Sequence, residues 1–324
     1  MLKIIYVISV LAACFAVLPV RAATLPGIPE FIDDMVVRHQ FKRDELERVF
    51  ERAKHLPSVI ETISRPSTAK PWLEYRANFV NPERVKYGLR FWQKYRKTLR
   101  RAERDFGVPQ EIIVALIGVE TIYGQDAGNF RILDALTTLA FDYPRREEYF
   151  RHELENYLLL ARDQQFNMLA IRGSYAGAIG IPQFMPSSYR YYAVDYNGNK
   201  KIDLLREPGD AIGSVANYLK IFGWTSSVPV AVRAKIVEKD WIGEISAPRS
   251  IEDWSEVGIV TGEKLPREQL ARLVDFTVEN GKELWLVFKD FEVITSYNNS
   301  DFYAMTVFQL AQELKAARKI SSAR

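Results

Sequence analysis

The sequence predicts an α+β protein that is mainly α, with a small β-containing segment late in the chain. Apolar residues recur at helical spacing up to about residue 224, whereas residues 228–237 alternate and are rich in β-branched side chains, as in a strand. The helical period returns over residues 301–318, which predicts a final helix. A length of 324 residues allows two domains, or one domain with a substantial appendage, and a hydrophobic content of 48% supports a real core.

The first 22 residues are typical of an export signal. Lys3 provides the positive start, residues 4–18 are apolar, and Val20-Arg21-Ala22 resembles a small-residue cleavage site. The apolar run is short for a membrane span. The only cysteine, Cys14, ends a stretch that resembles a bacterial lipobox, so lipidation of Cys14 is an alternative to ordinary cleavage near Ala22. We favour ordinary cleavage, because the apolar run continues past Cys14. Either way, internal disulfides and thiol catalysis are excluded.

Residues 23–108 are expected to form an N-terminal helical region. One helix is predicted over residues 30–55, a break over residues 68–71, and a long helix from the Asn81-Pro82 cap to about Arg104. The end of this long helix is very basic. A solvated helix face explains that charge more simply than contact with an anionic polymer, although both interpretations stand. The basic residues are Lys94, Arg96, Lys97, Arg100, Arg101 and Arg104.

The predicted core, residues 109–225, begins with a helix that places one acid among aliphatic side chains. Pro109 suits a first helical position, and Gly124 is a plausible stop. Ile113, Leu116 and Glu120 recur at helical spacing, so Glu120 shares an apolar stripe. Lost solvation would raise the pKa of Glu120 and suit it to proton transfer near neutrality. A structural, ion-paired glutamate is the simpler explanation when this segment is considered alone.

A second segment of the core, residues 173–188, predicts a constrained backbone. It contains three glycines and two prolines among small residues, and Ser174, Gln183 and Phe184 could meet a sugar through hydrogen bonds and an apolar face. The alternative is a tight loop before a helix that starts near Pro182. Aromatic and amide side chains elsewhere would suit a carbohydrate groove, although each alone is more typical of core or surface. They are Tyr75, Tyr149, Tyr218, Tyr297, Asn298 and Tyr303.

Residues 195–207 resemble the start of an EF-hand calcium loop, with oxygen-bearing side chains at alternate positions. The pattern departs from an EF-hand because glycine is fourth, Lys200 is sixth, and Arg206 takes the twelfth position, with Glu207 one residue later. A plain Asn-Gly turn explains the segment equally well. A zinc site is not indicated, because His39, His55 and His152 are widely spaced.

Residues 226–324 are expected to form a β-containing segment and the final helix. Residues 228–237 and 284–288 predict strands, and residues 291–294 predict a further strand after Lys289-Asp290.

Taken together, these segments resemble family 3 of the bacterial lytic murein transglycosylases, the membrane-bound lytic transglycosylase B type of glycoside hydrolase family 103. The resemblance covers nearly the whole mature chain in order. It rests on Gly-Val-Glu-Thr-x-Tyr-Gly at 118–124, Tyr-Pro-Arg-Arg at 143–146, Gly-Ala-Ile-Gly-Ile-Pro-Gln-Phe-Met-Pro-Ser at 177–187, the segments 210–218 and 297–300, and the early Ser64-Arg65-Pro66 and Lys70-Pro71-Trp72.

The resemblance implies a lysozyme-like helical core that cleaves the β-1,4 bond between N-acetylmuramic acid and N-acetylglucosamine in peptidoglycan. Glu120 would protonate the glycosidic oxygen and then accept the proton of the muramic C6 hydroxyl, which closes on C1 to give a 1,6-anhydro end. Most glycosidases need two carboxylates. One suffices here because the substrate provides the nucleophile and its N-acetyl group can help to stabilise C1.

The resemblance also implies roles for the remaining residues. Ser174 would contact the muramic sugar, and Gln183, Tyr297, Asn298 and Tyr303 would shape the pocket. A groove for glycan and stem peptide would be lined by Arg145, Arg146, Tyr149, Phe184, Tyr218 and Tyr75. Arginine suits the carboxylates of stem peptides. Catalysis would need no cofactor. A structural calcium ion would be held by Asp195, Asn197, Asn199, the carbonyl of Lys201 and Glu207.

Two other functions compete with transglycosylation: a lysozyme-type hydrolase on the same core, and a non-catalytic wall-binding protein. Intact Glu120, Ser174 and Gln183 argue against the second. A net charge of +3 without a recognisable module gives no case for a nucleic-acid binder. The expected location is the periplasm of a Gram-negative bacterium, with an outer-membrane anchor only if Cys14 is lipidated. Peptidoglycan strands are the expected partner, and cell-wall synthesis or division proteins are candidates.

Overall fold

The computed structural model describes residues 25–65, 70–237 and 247–322. The predicted signal at residues 1–22, with Cys14, lies outside these ranges, as does Pro66. Within them, no helix is both long enough and apolar enough to cross a membrane.

The described residues of the N-terminal region form six helices. They are α1 Ile28–His39, α2 Arg43–Glu51, α3 Pro57–Ile63, α4 Trp72–Phe79, α5 Pro82–Lys94 and α6 Arg96–Phe106. The single helix predicted over residues 30–55 is wrong, because Gln40 adopts a left-handed conformation (φ 59°) that ends α1. The Asn81 cap is confirmed: its side-chain oxygen accepts the N–H of Arg84 at 2.9 Å. The long helix that follows is divided at Tyr95.

The middle of the chain contains five longer helices and two very short strands. The helices are α7 Gln110–Thr121, α8 Ile132–Asp142, α9 Glu147–Asp163, α10 Pro186–Tyr192 and α11 Pro208–Ile221. The strands β1 Phe130–Arg131 and β2 Arg172–Gly173 pair antiparallel. α10 begins at Pro186, four residues after the start that the alternative interpretation of this segment placed near Pro182. Residues 112–119 of α7 are all buried, so α7 is a central helix without a polar face.

In the C-terminal part, the described residues form a sheet and three helices. Its elements are β3 Ala231–Ile236, β4 Arg249–Ser250, α12 Ile251–Glu256, β5 Ile259–Thr261, β6 Leu270–Val278, β7 Gly281–Val287, α13 Lys289–Tyr297 and α14 Asp301–Ser322. The strands form an antiparallel sheet in the order β4-β6-β7-β3-β5. The predicted strands at 228–237 and 284–288 are confirmed by β3 and β7, and the final helix by α14.

The strand predicted at residues 291–294 is wrong, because these residues belong to α13. Phe291 and Ile294 are three positions apart and both are fully buried, which is the spacing of one helix face. The buried carboxylate of Asp290, in the first turn, accepts the N–H groups of Thr225 and Ser226 at 2.9 and 2.8 Å. These two bonds hold the start of α13 against residues 225–226, which follow α11.

Helix α14 connects the C-terminal part to the rest of the protein. It packs against α7, α5 and α4, and one apolar core extends from α1 to α14 across the predicted boundaries at 108 and 225. A second, smaller core includes Val232, Trp254, Leu273 and Leu286. The path of α14 therefore brings residues near 300 to the carboxyl end of α7.

Candidate active site

Glu120 lies in the last turn of α7 and is partly exposed at the surface of the core. The hydroxyl of Tyr303, from the first turns of α14, donates a hydrogen bond to its Oε1. Burial by the surrounding protein raises the pKa of Glu120 to about 7, and the bond from Tyr303 opposes that rise because it favours the carboxylate. No second carboxylate contributes to this shift among the described residues. An acid of this kind can both donate and accept a proton near neutral pH.

The backbone after Glu120 turns sharply and is held on two sides. Ile122 and Tyr123 have φ values of 52° and 62°, a left-handed conformation that is costly for a β-branched residue. The buried hydroxyl of Thr121 donates to the carbonyl of Ile181 at 2.7 Å and accepts the N–H of Gly124 at 2.9 Å. These bonds connect the end of α7 to the segment that contains Gln183.

On the opposite side, α5 holds the same turn. The Tyr123 hydroxyl donates to the carbonyl of Arg84 at 3.0 Å, and the Arg84 guanidinium donates to the carbonyl of Gly118. A Cβ at Gly118 would lie 2.5 Å from the Tyr123 hydroxyl oxygen, so only glycine leaves room for this ring. Gly118, Thr121 and Tyr123 are therefore positioning residues. The sequence motif contained them, but their pairing with Arg84 could not be read from it.

Ser174 and Gln183 lie on two tight turns of residues 173–187. The Ser174 Oγ accepts the N–H of Ala178 at 3.0 Å. Gln183 is left-handed (φ 51°), and its Nε2 donates to the carbonyls of Gly180 and Ala127 at 2.9 and 3.1 Å. The side-chain nitrogen of Gln183 therefore holds the turn together, which leaves its Oε1 as the group able to meet a ligand.

Residues 173–187 are also held in place by a buried acid of α9 that no sequence pattern indicated. Glu153 of α9 is 2% exposed, and its carboxylate accepts the backbone N–H and the hydroxyl of Ser187 at 2.9 and 2.6 Å. It thereby satisfies free N–H groups at the start of α10. In the sequence, Glu153 only follows His152 on a helix, so no local signal indicated this role.

Tyrosines from α11, α13 and α14 form a wall behind the acid. The rings of Tyr297 and Tyr303 are stacked with centroids 6.4 Å apart, and Tyr218 meets Tyr297 at 4.8 Å. The Tyr297 hydroxyl donates to the carbonyl of Pro182 at 2.5 Å, and that of Tyr218 to Ser296 at 2.7 Å. Burial and the charge of Glu120 raise the pKa of Tyr297 and of Tyr303 well above the ordinary value, so both stay protonated.

Phe184 and Tyr75 complete this wall. Phe184 is 2% exposed and lies 5.7 Å from the Tyr297 ring. Tyr75, from α4, is 5% exposed, and burial together with the charge of Glu120 raises its pKa to about 12. These rings, with Tyr218 and Tyr303, support the acid from behind and offer little open surface for a sugar. All three of Phe184, Tyr218 and Tyr75 are buried, and the expectation that they line a groove stays a prediction.

The remaining predicted groove residues are at the surface. Arg145 and Arg146 belong to a single 3-10 turn, Pro144–Arg146, and both are exposed. The Arg146 guanidinium lies 4.2 Å from the Tyr149 ring centroid, and the Tyr149 ring packs edge-on against Phe150 with centroids 5.0 Å apart. Asn298 is exposed between α13 and α14, and its carbonyl accepts the N–H of Ser300 at 2.7 Å.

The loop at residues 195–207 brings its predicted oxygen donors together. The Asp195 carboxylate accepts the N–H groups of Gly198, Asn199 and Lys200 at 2.7, 3.2 and 2.6 Å. The Glu207 carboxylate reaches the side-chain amide of Asn197 and, at 3.0 Å, that of Asn199, so the extra residue before Glu207 does not move it out of the loop.

A hard cation such as calcium prefers an all-oxygen donor set. The loop offers the carboxylates of Asp195 and Glu207, the amide oxygens of Asn197 and Asn199, and the carbonyl of Lys201. In the described ranges, no group of three or more His, Cys, Asp or Glu could hold a metal. With two carboxylates among its donors, the loop fits a structural calcium ion.

Comparisons with known proteins show the family of the chain. Residues 25–312 match the model of the transglycosylase SLT domain. The chain is 44% identical over 306 residues to membrane-bound lytic murein transglycosylase B of Escherichia coli K12, covering 91% of this chain and 84% of that protein.

Solved structures are also similar. The E. coli lytic transglycosylase SLT35 in complex with calcium has a TM-score of 0.85 at 44% identity, over 91% of this chain and 94% of that one. SltB3 from Pseudomonas aeruginosa in complex with NAG-anhNAM-pentapeptide has a TM-score of 0.80 at 29% identity, over 89% and 78%.

Proposed function

The chain belongs to the transglycosylase SLT domain family and is a lytic transglycosylase acting on peptidoglycan, and from this premise we propose that Glu120 is its single catalytic acid. The observation that supports the proposal is a carboxyl group whose pKa is raised to about 7 with one hydrogen-bond partner, Tyr303, and no second acid acting on it among the described residues. The fold is mainly α with a lysozyme-like core, in agreement with the prediction.

In the first step, Glu120 is protonated near neutral pH and donates its proton to the glycosidic oxygen between N-acetylmuramic acid and N-acetylglucosamine. The C1–O bond breaks, and the N-acetylglucosamine side leaves with a new hydroxyl. The carboxylate that remains accepts the hydrogen bond of Tyr303, which is stronger to the charged form. This bond, and the positive character that develops at C1, stabilise Glu120 as it loses its proton.

In the second step, the Glu120 carboxylate accepts the proton of the muramic C6 hydroxyl while that oxygen bonds to C1. The product is a 1,6-anhydro end, no water is consumed, and Glu120 is protonated again. The rings of Tyr218, Tyr297 and Tyr303 pack against one another on one side of the acid, so water can approach it only from the other sides.

The other predicted residues take binding roles in the proposal. Ser174, the Oε1 of Gln183, Tyr297 and Asn298 contact the muramic sugar, and the exposed Arg145, Arg146 and Tyr149 extend the groove toward stem-peptide carboxylates. Each part of the chain contributes: Tyr75 comes from the region 23–108, Glu120 from 109–225, and Tyr303 from 226–324. The C-terminal part therefore completes the groove.

We also propose a structural calcium ion and an exported location. The loop donors Asp195, Asn197, Asn199, Lys201 and Glu207 suit calcium, and SLT35 binds it in its crystal structure. The relative in E. coli is membrane-bound, and the predicted signal at 1–22 would direct this chain to the periplasm.

Mass spectrometry of the products from purified sacculi tests the mechanism. Anhydro-muropeptides, lighter than hydrolysed forms by one water, are expected from the native protein. Glu120→Gln should lower the rate by about a thousandfold, the scale of general acid–base catalysis. Glu111→Gln, at the other end of α7 and paired with Lys315 at 2.6 Å, is the matched control and should remain active.

Two results would count against the proposal. Products with reducing ends would mean that water reaches C1, and the protein would then be a hydrolase. Full activity in purified Glu120→Gln would mean that another group transfers the proton.

A further inference from the structure

Positive charge is concentrated on the outer surface of α5 and α6. Residues 86–104 contain eight Lys and Arg and one acid, Glu103, whereas the whole chain has a net charge of only +3. The rest of the chain is therefore net negative, and this concentration is local. Seven of the eight cations are exposed, and we refer to them as the basic face: Lys86, Arg90, Lys94, Arg96, Lys97, Arg100 and Arg104.

The basic face is largely free of internal ion pairs. The eighth cation, Arg101, turns inward, with its guanidinium 3.7 Å from the Tyr196 ring centroid. Across the three described ranges, Arg104 is the only member of the basic face with an acidic partner, Asp105 at 2.9 Å. Lys94 lies over the Tyr95 ring at 5.1 Å. The charges are thus available to an external anion.

A groove lies next to this face. A cavity of about 740 Å³ between α4, α5 and α14 has apolar walls, with cations at its rim and one acid. A peptide with short apolar side chains and a free carboxylate would match both the wall and the rim. The lining residues are Arg76, Val80, Asn81, Pro82, Val85, Lys86, Leu89, Arg90 and Glu313.

The position of this surface separates it from the catalytic cleft. Gly88 faces the protein interior, since a Cβ there would lie 2.4 Å from the Tyr123 hydroxyl oxygen behind Glu120. Lys86 and Arg90 are each two residues from Gly88, about 200° around the helix, so they point to the opposite side of α5. They therefore face away from the side of α5 that packs against the turn after Glu120.

We propose that the basic face and its groove form an accessory surface that binds the carboxylates of stem peptides on strands other than the one being cleaved. This inference rests on the activity toward peptidoglycan, an insoluble polymer that presents many such peptides together. Each exposed ion pair is weak, but several acting at once hold the protein at the wall, and the effect weakens with salt.

Cosedimentation of the full chain with purified sacculi tests the proposal. All proteins carry Glu120→Gln, so that the wall is not digested during the measurement. One variant adds Lys86→Gln, Arg90→Gln and Lys97→Gln. The matched control adds Lys42→Gln, Arg52→Gln and Lys264→Gln, which removes the same charges from exposed sites elsewhere. Each is compared on intact sacculi and on sacculi stripped of peptides by an amidase.

We expect the basic-face variant to bind intact sacculi about tenfold more weakly at low salt, the size expected of three exposed ion pairs. On stripped sacculi it should bind as the parent does, and the control should match the parent on both. If the basic-face variant unfolds at a lower temperature than the parent, a second variant replaces it with the same expectation. This variant carries Lys94→Gln, Arg96→Gln and Arg100→Gln, all on the second half of the face.

Three outcomes would overturn the proposal. Equal losses in variant and control would mean that only net charge matters. A loss that persists on stripped sacculi would exclude the peptides. Weaker binding to phosphatidylglycerol vesicles, with sacculi unaffected, would identify a membrane surface as the partner. Soluble fragments released by the Glu120→Gln parent would instead count against the catalytic assignment, and they are measured separately in the supernatant.

Discussion

Glu120 at the end of α7 and the carboxylates of the loop at residues 195–207 are acids in opposite surroundings. Glu120 is partly exposed, lies beside tyrosines and has one hydrogen-bond donor, Tyr303. Asp195 and Glu207 are also partly exposed, but Asp195 accepts three backbone N–H groups between 2.6 and 3.2 Å, and Glu207 accepts hydrogen bonds from two side-chain amides. The Glu120 carboxylate therefore has few hydrogen-bond donors around it, whereas the carboxylates of Asp195 and Glu207 have several.

This difference explains why the two regions suit different tasks. Removing a carboxylate from water without replacing its hydrogen bonds raises its pKa, and a pKa of about 7 is what proton transfer at neutrality needs. Many donors orient a carboxylate, which suits the proposed cation site. The number of donors around each acid therefore agrees with the two different roles that we propose for them.

The largest expected effect concerns the one donor that Glu120 has. Tyr303→Phe should lower the turnover number by about a hundredfold, because the carboxylate formed in the first step loses its hydrogen bond. The same bond lowers the pKa of Glu120, so its loss should raise that pKa. Since Glu120 must start protonated, activity should fall as pH rises through about 7 in the native protein, and at a higher pH in the variant. Rate against pH with a soluble muropeptide measures both changes.

Tyr157→Phe is the control for this experiment. Tyr157 is also a buried tyrosine, and its hydroxyl donates to the carbonyl of Met168 at 2.6 Å, in the interior of the core. The Tyr157→Phe variant should lose stability without changing the pH at which activity falls. If that pH is also unchanged in Tyr303→Phe, the hydroxyl of Tyr303 does not interact with the reacting carboxylate.

A smaller effect is expected on stability, and its sign depends on pH. The pKa of Glu120 is raised in the folded protein to about 7 from an ordinary value of 4.5. Below pH 4.5 the group is protonated in both states and costs nothing. As pH rises to 7, the unfolded state ionises first, so the folded state loses stability. Glu120→Gln should therefore stabilise the protein at pH 8, by about 2 kcal/mol after allowance for partial exposure, and leave it unchanged at pH 4.

Denaturant unfolding at the two pH values measures this difference. Glu111→Gln serves as the control, since it breaks an ion pair with Lys315 on the same helix and should not stabilise at either pH. Equal stability of Glu120→Gln and the native protein at pH 8 would show that the carboxylate is solvated after all, and that the two acidic regions differ less than their contacts indicate.

The sequence predicted the mainly helical fold because its long helices have strong periodicity and clear caps, as at Asn81. The sequence also indicated Glu120 and the loop at residues 195–207 as candidate sites because both lie in compact motifs, and their roles stay predictions. It failed where tertiary contacts override local preference: three of the four residues at 291–294 are β-branched or aromatic, yet Asp290 and the core hold the segment as a helix. β6, which alternates less clearly, was not predicted at all.

The positioning contacts of the site were equally hidden. Arg84 and Gly118 are far apart in sequence, and so are Glu153 and Ser187. Such pairs depend on how helices cross, which no local pattern encodes. Tyr303 was predicted through resemblance alone. Its role as the donor to Glu120 follows from the path of α14 through the core.

The smallest expected effect is at the loop, and it tests how independent the two regions are. At a calcium concentration tenfold above the dissociation constant, binding should stabilise the folded protein by about 1.4 kcal/mol, a shift of a few degrees in melting temperature. Glu207→Gln should abolish the shift, and the exposed Glu263→Gln should retain it. Magnesium should act more weakly, since it needs a tighter octahedral site. No shift at millimolar calcium would mean that the loop is only a turn.

The turnover number measured in the same samples then shows whether the loop at residues 195–207 affects Glu120. The carbonyl of Leu204 accepts the N–H of Ile181 at 2.8 Å, and the carbonyl of Ile181 accepts the hydroxyl of Thr121, next to Glu120. The loop and the acid therefore share one chain of hydrogen bonds. Because Asp210, buried at the start of α11, already holds the backbone of Tyr196, Asn197 and Asp203, we expect the loop to keep this geometry without an ion. Calcium should thus raise the melting temperature and leave the turnover number below that temperature unchanged. A calcium-dependent turnover number would show instead that the ion acts on Glu120 through Ile181.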